Sequence, residues 1–159
     1  MTSIIGFPDQ VDEVSARLVA GGVVFLAAIT ILFDQPWLTA LLAYGFIARV
    51  LTGPRLSPLG LLVTRVVRPR VPAEPRLIPG PPKRFAQAIG AVVTTLAAVC
   101  ALALDWTTGA EVLTALMVVF ATLESVFRLC VGCKIFAALM AAGVIPDEIC
   151  AECANIWAR

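Results

Sequence analysis

The chain has 159 residues, of which 60% are hydrophobic and 14% are charged, with a net charge of +1 and no histidine. Soluble domains carry about 25% charged residues, so this composition has too little charge to cover a surface in water and predicts a protein embedded in lipid. The small net charge gives no bulk attraction to nucleic acid, and the absence of histidine excludes Ser–His and Cys–His catalysis and mixed Cys/His metal sites. We expect a single membrane domain over residues 1–159, because the length leaves no room for a separate soluble enzyme.

Four apolar stretches are candidates for transmembrane helices, each of which needs about 20 mostly apolar residues. The N-terminus has no basic region and carries several acidic residues, so we do not expect the first stretch to be a cleaved signal peptide. Trp37 and Trp106 fall at predicted helix ends, where aromatic side chains favour the membrane–water interface. The sequence therefore predicts an all-α membrane protein with four transmembrane helices at about residues 16–33, 37–51, 85–106 and 110–129.

The long loop between the second and third helices, residues 52–84, contains two kinds of sequence. In its first half, Leu and Val are mixed with arginines, which is typical of a short amphipathic helix lying among lipid headgroups. Its second half is rich in proline and predicts an extended, polyproline-like connection.

Basic residues set the expected orientation. The loops at residues 34–36 and 105–109 contain no Lys or Arg, whereas eight basic residues lie at or near the second loop: Arg49, Arg55, Arg65, Arg68, Arg70, Arg76, Lys83 and Arg84. The positive-inside rule therefore predicts that this loop, both termini and the C-terminal cysteines face the cytoplasm from the inner (plasma) membrane.

After the fourth helix comes a cysteine-bearing segment, residues 130–159. One helix from Ala110 to Ile145 would be about 54 Å long, well beyond a bilayer core of about 30 Å. We therefore predict a break near Gly132, followed by a short interfacial or re-entrant helix that stops at Gly143.

Two C-x2-C pairs, Cys130/Cys133 and Cys150/Cys153, are the main candidates for chemistry. In a first hypothesis they carry out thiol redox chemistry or sulfur transfer, because the predicted helix N-terminus and Lys134 would stabilise a thiolate in the first pair. That thiolate would attack a partner disulfide or accept a sulfane sulfur, and the second cysteine would resolve the adduct. Cys150 and Cys153 would then pass electrons or sulfur onward.

Two alternatives remain open at this point. The spacing of the two pairs also matches a zinc-site pattern, in which Cys130, Cys133, Cys150 and Cys153 would bind zinc or a soft metal ion. Alternatively, the thiols pack as small hydrophobic groups and the protein is a membrane scaffold without chemistry. Transient catalytic disulfides and metal sites both persist in a reducing cytosol, whereas permanent disulfides do not. Cys100 has no partner in the sequence pattern, and we predict that it is a packing residue.

Charged residues near the predicted cytoplasmic ends of the helices form a further candidate group. Glu124 and Arg128 are four residues apart and would share a helix face, and Arg49 would lie near the same membrane face as Glu124. An ionisable residue inside a membrane is a functional-site hypothesis, and the alternative is that these charges sit at the interface.

Several segments together resemble a known family. They are VDEVSAR at 11–17, FIARVLTGPRLSPLG at 46–60, PPKRFAQAIG at 81–90, LESVFRLCVGCKIF at 123–136 and GVIPDEICAECANI at 143–156. With these segments the chain resembles the bacterial membrane family known as domain of unknown function 4395, in its actinobacterial form. In that family the stretch before the first cysteine pair often contains a glycine, where this chain has Arg128. The resemblance implies a membrane location and, by association with thioredoxin-like and sulfurtransferase proteins, thiol or sulfur handling.

The sequence therefore predicts a reactive Cys130/Cys133 dithiol on the cytoplasmic face, with Cys150/Cys153 as a relay pair and Lys134 tuning the first pair. A soluble thioredoxin-like or sulfurtransferase partner would dock near the basic loop. Substrate, electron acceptor and the question of whether the protein is an enzyme stay open.

Overall fold

A computed structural model describes residues 6–150. Four long apolar helices form a bundle, and a shorter helix follows the fourth. The helices are α1 (Glu13–Leu32), α2 (Trp37–Thr52), α3 (Pro58–Leu62), α4 (Gly80–Leu102), α5 (Thr107–Phe127) and α6 (Val131–Ala141). Four helical stretches have the length and hydropathy to cross a membrane, namely α1, α4, α5 and the continuous stretch 37–70 that begins with α2.

The bundle core is built from small and medium side chains on α1, α2 and α5. Its fully packed members are Val23, Ala27, Leu42, Phe46, Met117 and Ala121. α1 packs mainly on α5 and α2 mainly on α4, while α4 contacts both α5 and α6. Gly90 on α4 lies directly under the Phe46 ring, where any side chain would collide with it. Small residues at such crossings let the helix backbones approach closely, as is usual between membrane helices.

The outer faces of the same helices are strongly apolar. Phe25, Val92 and Val112 each leave more than half of their surface exposed, at 65%, 59% and 63%. Exposing these apolar side chains to water would be unfavourable, whereas lipid solvates them. The chain is therefore a multi-pass membrane protein, and the predicted all-α class with four transmembrane helices and a shorter helix after the fourth is confirmed.

The segment after α2 turns and stays helical at the base of the bundle. Gly53 has a φ of +64°, which a residue with a side chain adopts only with strain, and it ends α2. Ser57 then caps α3 by accepting a hydrogen bond from the Gly60 N–H. The helical path continues as a π turn over 63–67 and a 3₁₀ turn over 68–70.

A two-stranded antiparallel ribbon joins the start of the chain to the second loop. Strand β1 (Gln10–Asp12) pairs with β2 (Leu77–Pro79), with Val11 opposite Ile78. Neither strand follows from the hydropathy pattern, so neither was predicted from the sequence. The ribbon places the N-terminal segment and the second loop at the same end of the bundle.

Helix boundaries lie a few residues from their predicted positions, most of all at the start of α4. The extended connection was expected to continue to residue 84, but α4 already begins at Gly80. Pro81 and Pro82 are tolerated there because the first helical turn needs no backbone N–H donors. The break predicted near Gly132 lies at 128–130, where Arg128 adopts a left-handed conformation with φ of +58°.

Candidate functional site: a cysteine pair beside a buried charge cluster

The first cysteine pair forms the opening turn of α6. Cys130 is the N-cap residue, and its sulfur accepts a hydrogen bond from the Cys133 N–H at 3.3 Å. The two cysteines are joined as a disulfide, with their Cα atoms 5.2 Å apart. Both residues are half-buried. The pair therefore lies where unpaired N–H groups and the helix dipole favour negative charge on sulfur.

Gly132, one of the two residues between the cysteines, fixes this turn against α4. A Cβ atom on Gly132 would lie 2.5 Å from the Cβ of Ala86 and 2.6 Å from its Cα. A turn further along, Phe136 packs against Phe85 with ring centroids 5.6 Å apart. Helix α6 is thus held along α4, and the cysteine pair is attached to a rigid element.

A buried ion pair lies at the same end of the bundle. Lys83 on α4 donates to the Glu124 carboxylate on α5, and the Lys83 side chain is only 6% exposed. A charge removed from water is stable only when an opposite charge or hydrogen bonds replace the lost hydration. Glu124 thus pairs with Lys83, and Arg128 lies exposed at the end of α5.

Arg49 adds a second buried cation. Its side chain on α2 is 5% exposed, and its guanidinium carbon lies 4.2 Å from the centroid of the Phe46 ring. It interacts electrostatically with Glu124, as expected from the sequence, but forms no ion pair with it. Among the residues that the structure describes, its Nε and Nη1 are buried without a hydrogen-bond partner.

A cavity of about 70 Å³ connects these features. Its wall includes Arg49, Glu124, Gln87 and Cys130, and the remaining lining is apolar apart from backbone. Gln87 lies one turn after Lys83 on α4, and its Oε1 is also buried without a partner within residues 6–150. The cysteine pair and the charge cluster therefore share one internal space.

The second cysteine pair is only partly visible. Cys150 is buried against Phe136 and Met140 of α6, and its sulfur is disulfide-bonded. Cys153 lies outside the described residues, so the predicted relay and the four-cysteine metal site stay predictions. Within residues 6–150 no three potential metal ligands come together.

Lys134 and Cys100 occupy opposite environments. Lys134 is exposed on the first turn of α6, and its backbone N–H donates to the Cys130 carbonyl at 3.1 Å. Cys100 is buried inside α4 as a free thiol, in keeping with a packing role.

Lys83 and Gln87 were not predicted as members of the site. Lys83 was expected in an extended loop, and the early start of α4 brings it into the bundle instead. A glutamine inside an otherwise apolar helix was the one signal that could have drawn attention to Gln87. Its meaning depends on neighbours on α2 and α5, which no local pattern reveals.

The fold and the site together define a multi-pass α-helical membrane protein with a cysteine pair at one end of its bundle, next to a buried charge cluster. The chain belongs to the family described as Domain of unknown function (DUF4395), whose model matches residues 11–141. The match covers all six helices and the Cys130/Cys133 pair and ends before Cys150. No curated protein and no solved structure matches the chain.

Proposed function

We propose that the protein is a thiol–disulfide exchange or sulfur-transfer component of the inner membrane, with Cys130/Cys133 as its reactive pair. The observation that carries the proposal is the position of this pair at the N-terminus of α6, with Cys130 as the cap. A reduced Cys130 would receive the Cys133 N–H hydrogen bond and the favourable end of the helix dipole. Both effects stabilise the thiolate, which is the attacking species in disulfide exchange.

The exchange is balanced in two steps. The Cys130 thiolate attacks one sulfur of a partner disulfide, forms a mixed disulfide and releases the other partner sulfur as a thiolate. The Cys133 thiolate then attacks Cys130 and releases the second partner sulfur. The partner disulfide gains two electrons, and the Cys130/Cys133 dithiol loses them. With a partner persulfide, the Cys130 thiolate instead takes the outer sulfur and the partner leaves as a thiolate.

The second cysteine pair, Lys134 and the basic second loop have supporting roles in the proposed reaction. Cys150/Cys153 would restore the first pair to its reduced form, and Cys150 already packs on α6. Lys134 would add positive charge near the pair. The basic residues of the second loop support a cytoplasmic location for this end of the bundle, where a soluble thioredoxin-like or sulfurtransferase protein would dock.

A trapping experiment tests the reaction. In Cys133→Ser the resolving thiol is missing, so we expect a covalent adduct between Cys130 and a soluble partner that reducing agent releases. Cys100→Ser is the matched control, because it removes a buried thiol away from the site and should trap nothing. Stoichiometric zinc that protects the paired cysteines from alkylation in anaerobically purified protein would contradict the proposal, as would unchanged growth after all four paired cysteines are replaced by Ser.

Sidedness has its own test. A membrane-impermeant maleimide should label reduced Cys130 and Cys133 in inside-out vesicles and not in intact cells. Labelling from the outside would overturn the cytoplasmic assignment.

A further inference from the structure

The cavity beside Cys130 has an unbalanced charge. Among the described residues, Arg49 and Glu124 line the cavity, and Glu124 is paired with Lys83, a second buried cation that lies outside the cavity wall. Glu124 forms its ion pair with Lys83. Its carboxylate therefore neutralises the Arg49 charge only in part. The Phe46 ring beneath it offsets part of the lost hydration, because the face of an aromatic ring attracts a cation.

Buried polar groups that have no hydrogen-bond partner among the described residues also favour a bound anion in this cavity. Within residues 6–150, two guanidinium nitrogens of Arg49 are buried without a partner, and the residue is only 5% exposed. Buried donors of a charged group are strongly destabilising when they stay unpaired. Gln87 adds an unpaired acceptor oxygen on the wall of the same cavity. A species held here would accept hydrogen bonds from Arg49 and place a bound proton, its own or that of an accompanying water, on Gln87.

The size of the cavity limits the species. Its volume of about 70 Å³ exceeds the 10–15 Å³ or so that one water molecule needs, and it is far below the several hundred Å³ of typical organic ligand sites. The wall is otherwise formed by apolar side chains such as Val23, Met117 and Ile135. An apolar, confined site with one excess positive charge favours a small ion with a single negative charge over a dianion.

We infer that this cavity is a binding site for a small inorganic monoanion, held by Arg49 between α2, α4 and α5, with an accompanying water donating to the Gln87 Oε1. This inference goes beyond the thiol chemistry and does not depend on it. If Cys130 is reduced, its thiolate becomes a second anion on the same wall, and the two compete for Arg49. By linkage, the anion then binds the disulfide form more tightly than the dithiol form, and it equally disfavours reduction of the pair.

The test uses radiolabelled chloride and the oxidised, detergent-purified full chain, with gluconate holding the ionic strength constant. We expect saturable binding that unlabelled nitrate displaces and that the bulkier gluconate does not. Arg49→Met should weaken binding about tenfold or more, the loss expected for a charged hydrogen-bond donor. The control is Arg65→Met, which removes an exposed arginine and should bind as the unmodified protein does.

A second variant covers the case in which Arg49→Met does not fold. Gln87→Glu supplies a carboxylate on the cavity wall, so it should raise thermal stability while abolishing chloride binding. Because chloride binding is measured on the unmodified oxidised protein, a failure of this inference is separate from a failure of the thiol proposal, which the Cys133→Ser trapping experiment tests. No saturable binding of chloride or nitrate to the unmodified protein, or equal binding to Gln87→Glu, would overturn the inference and leave the cavity to water.

Discussion

Gly132 on α6 lies so close to Ala86 on α4 that no side chain fits between them. The glycine of the C-V-G-C sequence is therefore a packing residue, and the position of the disulfide depends on it. Because the nearest atoms include the Ala86 Cα, the contact cannot be relieved by rotating a side chain. This relationship sets the first prediction.

Gly132→Ala should destabilise the protein by about 1–3 kcal/mol, the usual result of overpacking a tight contact. It should also expose the pair to faster reduction, since α6 must move away from α4. Thermal unfolding in detergent and the rate of reduction by a soluble thiol measure the two effects. The matched control is Gly45→Ala, whose added Cβ would lie 3.7 Å from the Ser57 Oγ in ordinary contact. Equal stability of the two variants would contradict the prediction.

The two partners of the buried ion pair should respond unequally to substitution. Glu124→Gln leaves Arg49 and Lys83 without a carboxylate, whereas Lys83→Met leaves Arg49 and Glu124 as one cation and one anion. Breaking a buried pair commonly destabilises by about 3–5 kcal/mol, and we expect that range for Glu124→Gln and a smaller loss for Lys83→Met. Thermal unfolding of both variants and of the double variant checks this order. A larger loss in Lys83→Met would show that charge balance does not govern the cluster.

Arg128 should be replaceable by glycine with a gain in stability. Its φ of +58° places it in the left-handed region, where a side chain raises the energy by about 1 kcal/mol and glycine does not. Arg128→Gly should therefore unfold at a higher temperature than Arg128→Ala, by the equivalent of about 1 kcal/mol. Because both variants remove the same charge, the comparison isolates the backbone. An Ala variant as stable as the Gly variant would argue against the left-handed conformation.

Acid should weaken the base of the bundle through Asp12. Burial alone would raise the pKa of Asp12, but hydrogen bonds from Arg68, Ser15 and nearby backbone N–H groups outweigh it and lower the pKa below its ordinary value of 3.8. A carboxyl group with a lowered folded-state pKa stabilises the fold above that ordinary value, and the contribution is lost as the pH falls through the folded-state pKa.

Asp12→Asn should accordingly be less stable than the unmodified protein near neutral pH, by up to about 1 kcal/mol for the lost ion pair with Arg68, and the difference should shrink below pH 3.8. Unfolding curves at several pH values measure it. Asp9→Asn is the control, because it removes the charge of an exposed carboxylate just before β1. A constant difference at all pH values would contradict the assignment.

The long apolar helices could be predicted from sequence because each is identified by the hydropathy of about 20 consecutive residues. Trp37 does start α2, and the break before α6 follows from a length that no bilayer spans. The cysteine pair was equally visible, since its two members are three residues apart. The N-terminal turn of α6 also follows from local sequence, whereas the contact of Gly132 with Ala86 does not.

The charge cluster could not be predicted in the same way. Lys83 and Glu124 are 41 residues apart, and their pairing depends on how α4 packs against α5. Glu124 was instead expected to have Arg128 as a possible partner, which local spacing suggests but the turn at the end of α5 prevents. The unpaired groups of Arg49 and Gln87 become visible only when three helices are assembled.

The pairing of β1 with β2 constrains how the chain enters the bilayer. A strand near the start can meet its partner, some 65 residues later, only if both are on one side, so the number of crossings between them must be even. α1 and α2 therefore insert as a hairpin, and the ribbon cannot close while only one of them has crossed the bilayer. The short β pairing thus requires the start of the chain and the second loop to lie on the same side of the membrane.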